Sequence, residues 1–120
     1  MVSRNEEDTF IDNAPRQQFS QGDELAVNGK LFRRGHRVGR VDVYATFTEV
    51  GPGETAALQI TFTATLPQGQ ITATGVAGPQ DQAGFEAAIT GGTGAYSRAR
   101  GEVRVVLTGP TTSELTYHLQ

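Results

Sequence analysis

From Leu58 to Leu66 the chain alternates without a break. Leu58, Ile60, Phe62, Ala64 and Leu66 are apolar, and Gln59, Thr61, Thr63 and Thr65 stand between them. Successive side chains of a β-strand point to opposite faces, so a period of two predicts a strand with one dry face and one wet one. The threonines agree, because β-branched side chains suit a pleated surface better than a helix.

The same period returns along the chain. Val41, Val43, Ala45 and Phe47 alternate with Asp42, Tyr44, Thr46 and Thr48. Ile71, Ala73 and Gly75 alternate with Thr72 and Thr74, and Phe85, Ala87 and Ile89 are set against Glu86 and Thr90. Val103, Val105 and Leu107 oppose Glu102 and Arg104; Leu115, Tyr117 and Leu119 oppose Glu114, Thr116 and His118. Leu25, Val27 and Leu31 mark a strand from about Asp23 to Phe32, and Thr9 to Asn13 is a weaker candidate for the first strand. Pro67-Gln68-Gly69, Gly78-Pro79 and Gly109-Pro110 supply turns between them.

Pro and Gly recur too closely for long helices. Consecutive hairpins without long crossovers predict an all-β, eight-stranded antiparallel up-and-down β-barrel rather than a sandwich. Closure removes the edges that a Thr-rich sheet would expose, and eight strands leave a bore wide enough for one small ligand. The 120 residues fit one domain with a core of its own. Residues 1–8 are expected to form a flexible N-terminal tail and 9–120 the barrel domain, with 49–55 a flexible hairpin loop. No internal repeat is present.

Composition narrows the function. The chain has no Cys, so disulfides, thiolate chemistry and cysteine metal sites are excluded. The net charge of −3 gives no basic footprint for nucleic acid. No apolar run approaches the roughly 18 residues of a membrane-spanning helix. Met1 to Asp8 is polar and acidic, unlike a secretory signal, and the expected location is the cytoplasm.

One segment stands apart. Ile89 runs into Thr90-Gly91-Gly92-Thr93-Gly94-Ala95-Tyr96-Ser97-Arg98-Ala99-Arg100-Gly101. Its glycines allow positive φ and close backbone approach in a tight corner, and Tyr96 can plug one end of the barrel. This segment resembles the dirigent-protein and allene-oxide-cyclase-like barrel superfamily, in which a Gly-Gly-Thr-Gly-x-aromatic-x-x-Ala-Arg-Gly stretch recurs. Gly22-Asp23 with Leu31-Phe32, then Gly35 and Val38-Gly39, is similar to that family's opening strand, turn and strand. Leu66-Pro67-Gln68-Gly69-Gln70-Ile71 is similar to its central hairpin. The resemblance covers about residues 9 to 119 and speaks more to fold than to reaction. It implies a barrel, often trimeric, with a ligand pocket in the bore and no metal or organic cofactor. It also implies an acidic residue in the first strand, for which Asp12 is the nearest match. Asn13 is a weaker match to an Asn found there in allene oxide cyclases, and Arg100 matches the Arg of Ala-Arg-Gly. Ala95 stands where many dirigents place Asp, which points away from radical coupling and toward a cyclase or a binding protein.

Each candidate has a functional and a plain reading. Asp12 in an apolar bore would have a raised pKa suited to acid–base work, or it sits solvated near the barrel mouth. Arg100 stabilises charge on a carbonyl oxygen, or it pins the Gly-rich corner. Tyr117 shares the inward parity of Leu115 and Leu119, so its hydroxyl needs either a protein partner or a ligand. Phe47, Phe62 and Phe85 fall on inward parities and are core, pocket wall or both. Ala45, Ala64, Ala73, Ala87 and Gly75 share that parity and leave volume unfilled, unless they fill a taper. His36 belongs to a basic turn and His118 faces outward, so no metal site is expected. Ser20, Ser97 and Ser113 lack a nucleophile's setting.

Bacterial relatives of this barrel type include cyclases acting on polyketide intermediates, so the resemblance implies a cofactor-independent cyclase or isomerase of specialised metabolism. It would fold a hydrophobic polyketide-type or polyene substrate inside the barrel, with cycloaddition one such reaction. Catalysis would come mainly from confinement, with Asp12, Tyr117 or Arg100 polarising a carbonyl or moving a proton. Phe47, Phe62, Phe85, Asn13 and Tyr96 would line the substrate. The alternative is a non-catalytic hydrophobic small-molecule binder or a dirigent-type stereo-guiding protein. The Thr-rich outer faces permit a homotrimer or homodimer.

Overall fold

The computed structural model describes residues 2–11, 23–50, 56–78, 84–109 and 112–120, with the main chain alone for 2–11, 49 and 56. Alternation becomes eight strands: β1 (Val2–Ile11), β2 (Glu24–Arg33), β3 (His36–Val50), β4 (Ala56–Leu66), β5 (Gly69–Ala77), β6 (Gly84–Gly92), β7 (Gly101–Leu107) and β8 (Thr112–Leu119). Each pairs antiparallel with its sequence neighbours, and β1 also pairs with β8, so the sheet closes into an up-and-down barrel. Among the described residues no helix is long and apolar enough to cross a membrane.

The inward residues meet at common levels. Val27 pairs with Val43, Val43 with Phe62, Phe62 with Ala73 and Ala73 with Ile89. Leu31, Ala64, Ala73 and Val103 are fully buried, and Val41, Ala87, Phe62 and Ile71 nearly so. The outward partners are held by cross-strand hydroxyls: Thr61 and Thr74 lie 3.2 Å apart, and Thr74 donates to the Ile60 carbonyl at 3.1 Å. Two exposed ion pairs, Arg40–Asp42 and Arg104–Glu86, add little stability.

The first strand departs from expectation. It begins at Val2, so residues 2–8 belong to the sheet and not to a tail. Val2 pairs with Phe32 on one side and Glu114 on the other. The reason lies in the main chain: β2 and β8 would each present unpaired N–H and C=O groups without a strand between them, whatever that strand's side chains.

The two barrel ends differ. The turns at 34–35 and 67–68 and the β6–β7 connection lie at one end. There a 3-10 turn, Gly94–Tyr96, packs on the β4–β5 turn. Thr93 N–H donates to the Gln70 carbonyl and Ala95 N–H to the Gln68 carbonyl, each at 2.9 Å. Gly94 holds φ +60, and a Cβ on it would collide with the Gln68 carbonyl oxygen. Seam geometry matters here too. β1 pairs with β8 only over Val2–Arg4, and β8 runs on from Leu115 to Leu119 with β7 as its strand partner.

Candidate functional site

The C-terminal half of β8 and the turns beside it border an open cavity of about 570 Å³. Arg33 and Val38, flanking the β2–β3 turn, form one wall. Leu66, Pro67, Gln68 and Ile71 come from the β4–β5 hairpin, and Tyr96 from the 3-10 turn. Leu115, Thr116, Tyr117 and Leu119 form the β8 wall. Thr116 has the outward parity of its strand, so the cavity wall takes in residues from both faces of β8. The volume suits one drug-sized ligand, and the wall mixes apolar side chains with the polar groups of Arg33, Gln68, Tyr96, Thr116 and Tyr117.

The polar groups have distinct characters. Tyr117 pairs with Val103 across β7 and β8 and packs its ring against the core. Its hydroxyl is buried and has no hydrogen-bond partner among the described residues. Burial pushes its pKa up to about 12, so it is a neutral donor at physiological pH. Tyr117 thus brings both a wall of the cavity and a buried hydroxyl without a partner among the described residues to one place. Arg33 is exposed, at the rim. Tyr96 is half-buried, and its backbone N–H and C=O are tied to Thr93 and Ala99 within the corner.

Of the residues singled out from the sequence, Tyr96 and Tyr117 come together at this cavity. Phe47, Phe62 and Phe85 do not line it. Phe47 and Phe62 are buried and Phe85 packs against the core, so they fill the bore rather than wall the cavity. Arg100 also stays outside. Its side chain is exposed, and its carbonyl accepts the Gln120 N–H at 2.9 Å, which ties down the C-terminus. Asp12 and Asn13 lie outside the described residues. Tyr44 is 46% exposed on the outer wall.

Two residues escaped the sequence reading. Arg33 belongs to the basic run Arg33-Arg34-Gly35-His36-Arg37, and only closure brings it opposite β8. Asp23 is fully buried at the other end of the barrel, where its carbonyl accepts the Phe47 N–H at 2.8 Å. The Gly22-Asp23 pair ahead of β2 was the available signal. Among the described residues, no three His, Cys, Asp or Glu side chains converge as a metal site would need.

A family model for the allene oxide cyclase barrel like domain matches residues 3–118. The chain belongs to that family. Its barrel superposes on a pyocyanin demethylase with a TM-score of 0.78 at 29% identity, over 97% of this chain and 98% of that one. AbnU, an exo-specific intermolecular Diels-Alderase, gives 0.70 at 16% identity over 96% of this chain and 92% of that one. The pterocarpan synthase dirigent protein PsPTS1 gives 0.70 at 17% over 96% and 89%. No curated protein matches by sequence. The allene oxide cyclase barrel-like fold thus serves enzymes and a dirigent protein alike.

Proposed function

We propose that this barrel is a cyclase or isomerase that works on one small, mostly apolar carbonyl compound of the polyene or polyketide type. The observation that carries the reading is the 570 Å³ cavity walled by a buried phenol without a partner. A buried polar group normally finds a hydrogen bond, and leaving it without one costs stability. A ligand carbonyl would satisfy it. The neutral hydroxyl then withdraws electron density from that carbonyl, which activates a conjugated substrate toward a ring closure that moves no proton. The cavity contributes by holding the chain in a near-reactive fold, replacing entropy that the free reaction must lose. This chemistry calls for no cofactor.

The 29% identical pyocyanin demethylase supports a small-molecule site in this barrel; the other two structures support only the fold. A second reading, a binder or stereo-guide without chemistry of its own, is favoured by one feature. No carboxylate or imidazole belongs to the cavity wall among the described residues. In either reading the protein works in the cytoplasm, and the Thr-rich outer wall makes the contacts of a homotrimer or homodimer.

The test is incubation with a panel of conjugated polyene ketones and linear polyketide mimics, read by chiral chromatography and mass spectrometry. A cyclic or isomerised product formed faster than in buffer supports the enzyme. Saturable binding with no rate change favours the binder. Absence of both sinks the assignment.

A further inference from the structure

The cavity lies at the cationic end of the molecule. Arg33 forms part of its wall, and Arg34 and Arg37 follow in the same exposed turn. The corner that carries Tyr96 adds exposed Arg98 and Arg100. These five are half of the ten Lys and Arg in the chain. None has a side-chain hydrogen bond or ion pair among the described residues, whereas Arg40 and Arg104 on the outer wall are paired with Asp42 and Glu86. Glu102 and Glu114, on β7 and β8, are exposed with outward parity. Arg34 also holds φ 52, a conformation that glycine or asparagine adopts at less cost. A positive charge is therefore kept where the backbone disfavours it, in a protein whose net charge is −3.

Cations gathered around a cleft without an ion-pair partner among the described residues focus its field and draw in anions. We propose that the ligand of this cavity is an anion: an otherwise apolar molecule carrying a carboxylate or similar group, which Arg33 holds at the mouth. The apolar body then lies along Leu66, Ile71 and Leu115. This rests on the cavity being the ligand site.

Two dyes of similar shape separate the charge question from the cavity question. Anilinonaphthalene sulfonate is anionic, N-phenyl-naphthylamine is neutral, and both brighten in apolar cavities. Each is titrated against the wild type, Arg33→Gln, Arg33→Lys and Leu119→Trp, which narrows the mouth at an exposed position. We expect Arg33→Gln to weaken the sulfonate about tenfold and leave the neutral dye within twofold, since a charge-assisted contact is lost and no apolar wall is. Arg33→Lys should restore most of the affinity, and added salt should weaken only the anion. Leu119→Trp should weaken both dyes. If Arg33→Gln leaves the ratio of the two affinities unchanged, the anion assignment is overturned while the cavity stands. If neither dye binds, or Leu119→Trp affects neither, the cavity is not a ligand site and both readings fall.

Discussion

Tyr117→Phe tests whether the buried phenol serves the fold or a ligand. In most proteins this substitution loses a hydrogen bond and destabilises. Here the hydroxyl has no partner to lose among the described residues. An unsatisfied buried hydroxyl costs about 1–3 kcal/mol, and relaxation or a trapped water recovers part of that. We therefore expect the variant to be more stable by about 1 kcal/mol, roughly 4 °C in Tm for a domain of this size. The pH profile supplies an independent reading. The Tyr117 pKa rises from 10.0 to about 12 in the folded barrel. Its protonated form is favoured by folding, so its contribution is intact below about pH 10 and is lost as pH rises toward about 12. Two pH units correspond to about 2–3 kcal/mol of lost stability in the wild type, absent from Tyr117→Phe. Urea denaturation at neutral pH and across the alkaline range measures both, with tyrosinate absorbance reporting the ionisation. If Tyr117→Phe is less stable by more than about 1 kcal/mol at neutral pH, the hydroxyl has a structural partner and the ligand argument collapses.

On a converted substrate, Tyr117→Phe should lower kcat by about 10²–10³, the usual effect of removing one donor from a developing oxyanion; an unchanged kcat would leave the tyrosine out of the chemistry. Phe62→Ala should cost about 3–5 kcal/mol in chemical denaturation, because Phe62 sits in the packed bore between Val43 and Ala73; a smaller loss would mean that the bore is not tightly filled. Gly94→Ala should lose about 1–3 kcal/mol, since the left-handed backbone and the Gln68 carbonyl both oppose a methyl group there; near-neutral stability would show that the corner is not stitched as described. Arg100→Ala should leave ligand affinity within twofold, and a larger change would return Arg100 to the site.

The strands were legible because pleating imposes its period on any segment with one wet face. Val41 to Phe47 and Leu58 to Leu66 declare which side is buried before any partner is known. β1 carries no such declaration. Arg4, Asn5, Glu6, Glu7 and Asp8 share one polarity, and their place in the sheet comes from main-chain pairing with β2 and β8. The site was legible only in part, for a related reason. Inward parity identified Tyr117 correctly as facing the bore, but parity cannot say at which level a side chain sits. Register does that, and it sends the phenylalanines into the packed barrel and Tyr117 to the wall of the open end. The cavity itself depends on which connections meet the end of β8 at Leu119. No single strand's pattern contains that meeting. Closure creates it, and closure also sets Arg33 across from β8. The candidate cavity therefore lies where the connections of hairpin-linked strands meet β8, and the residues that line it are those whose neighbours are fixed by register rather than by alternation.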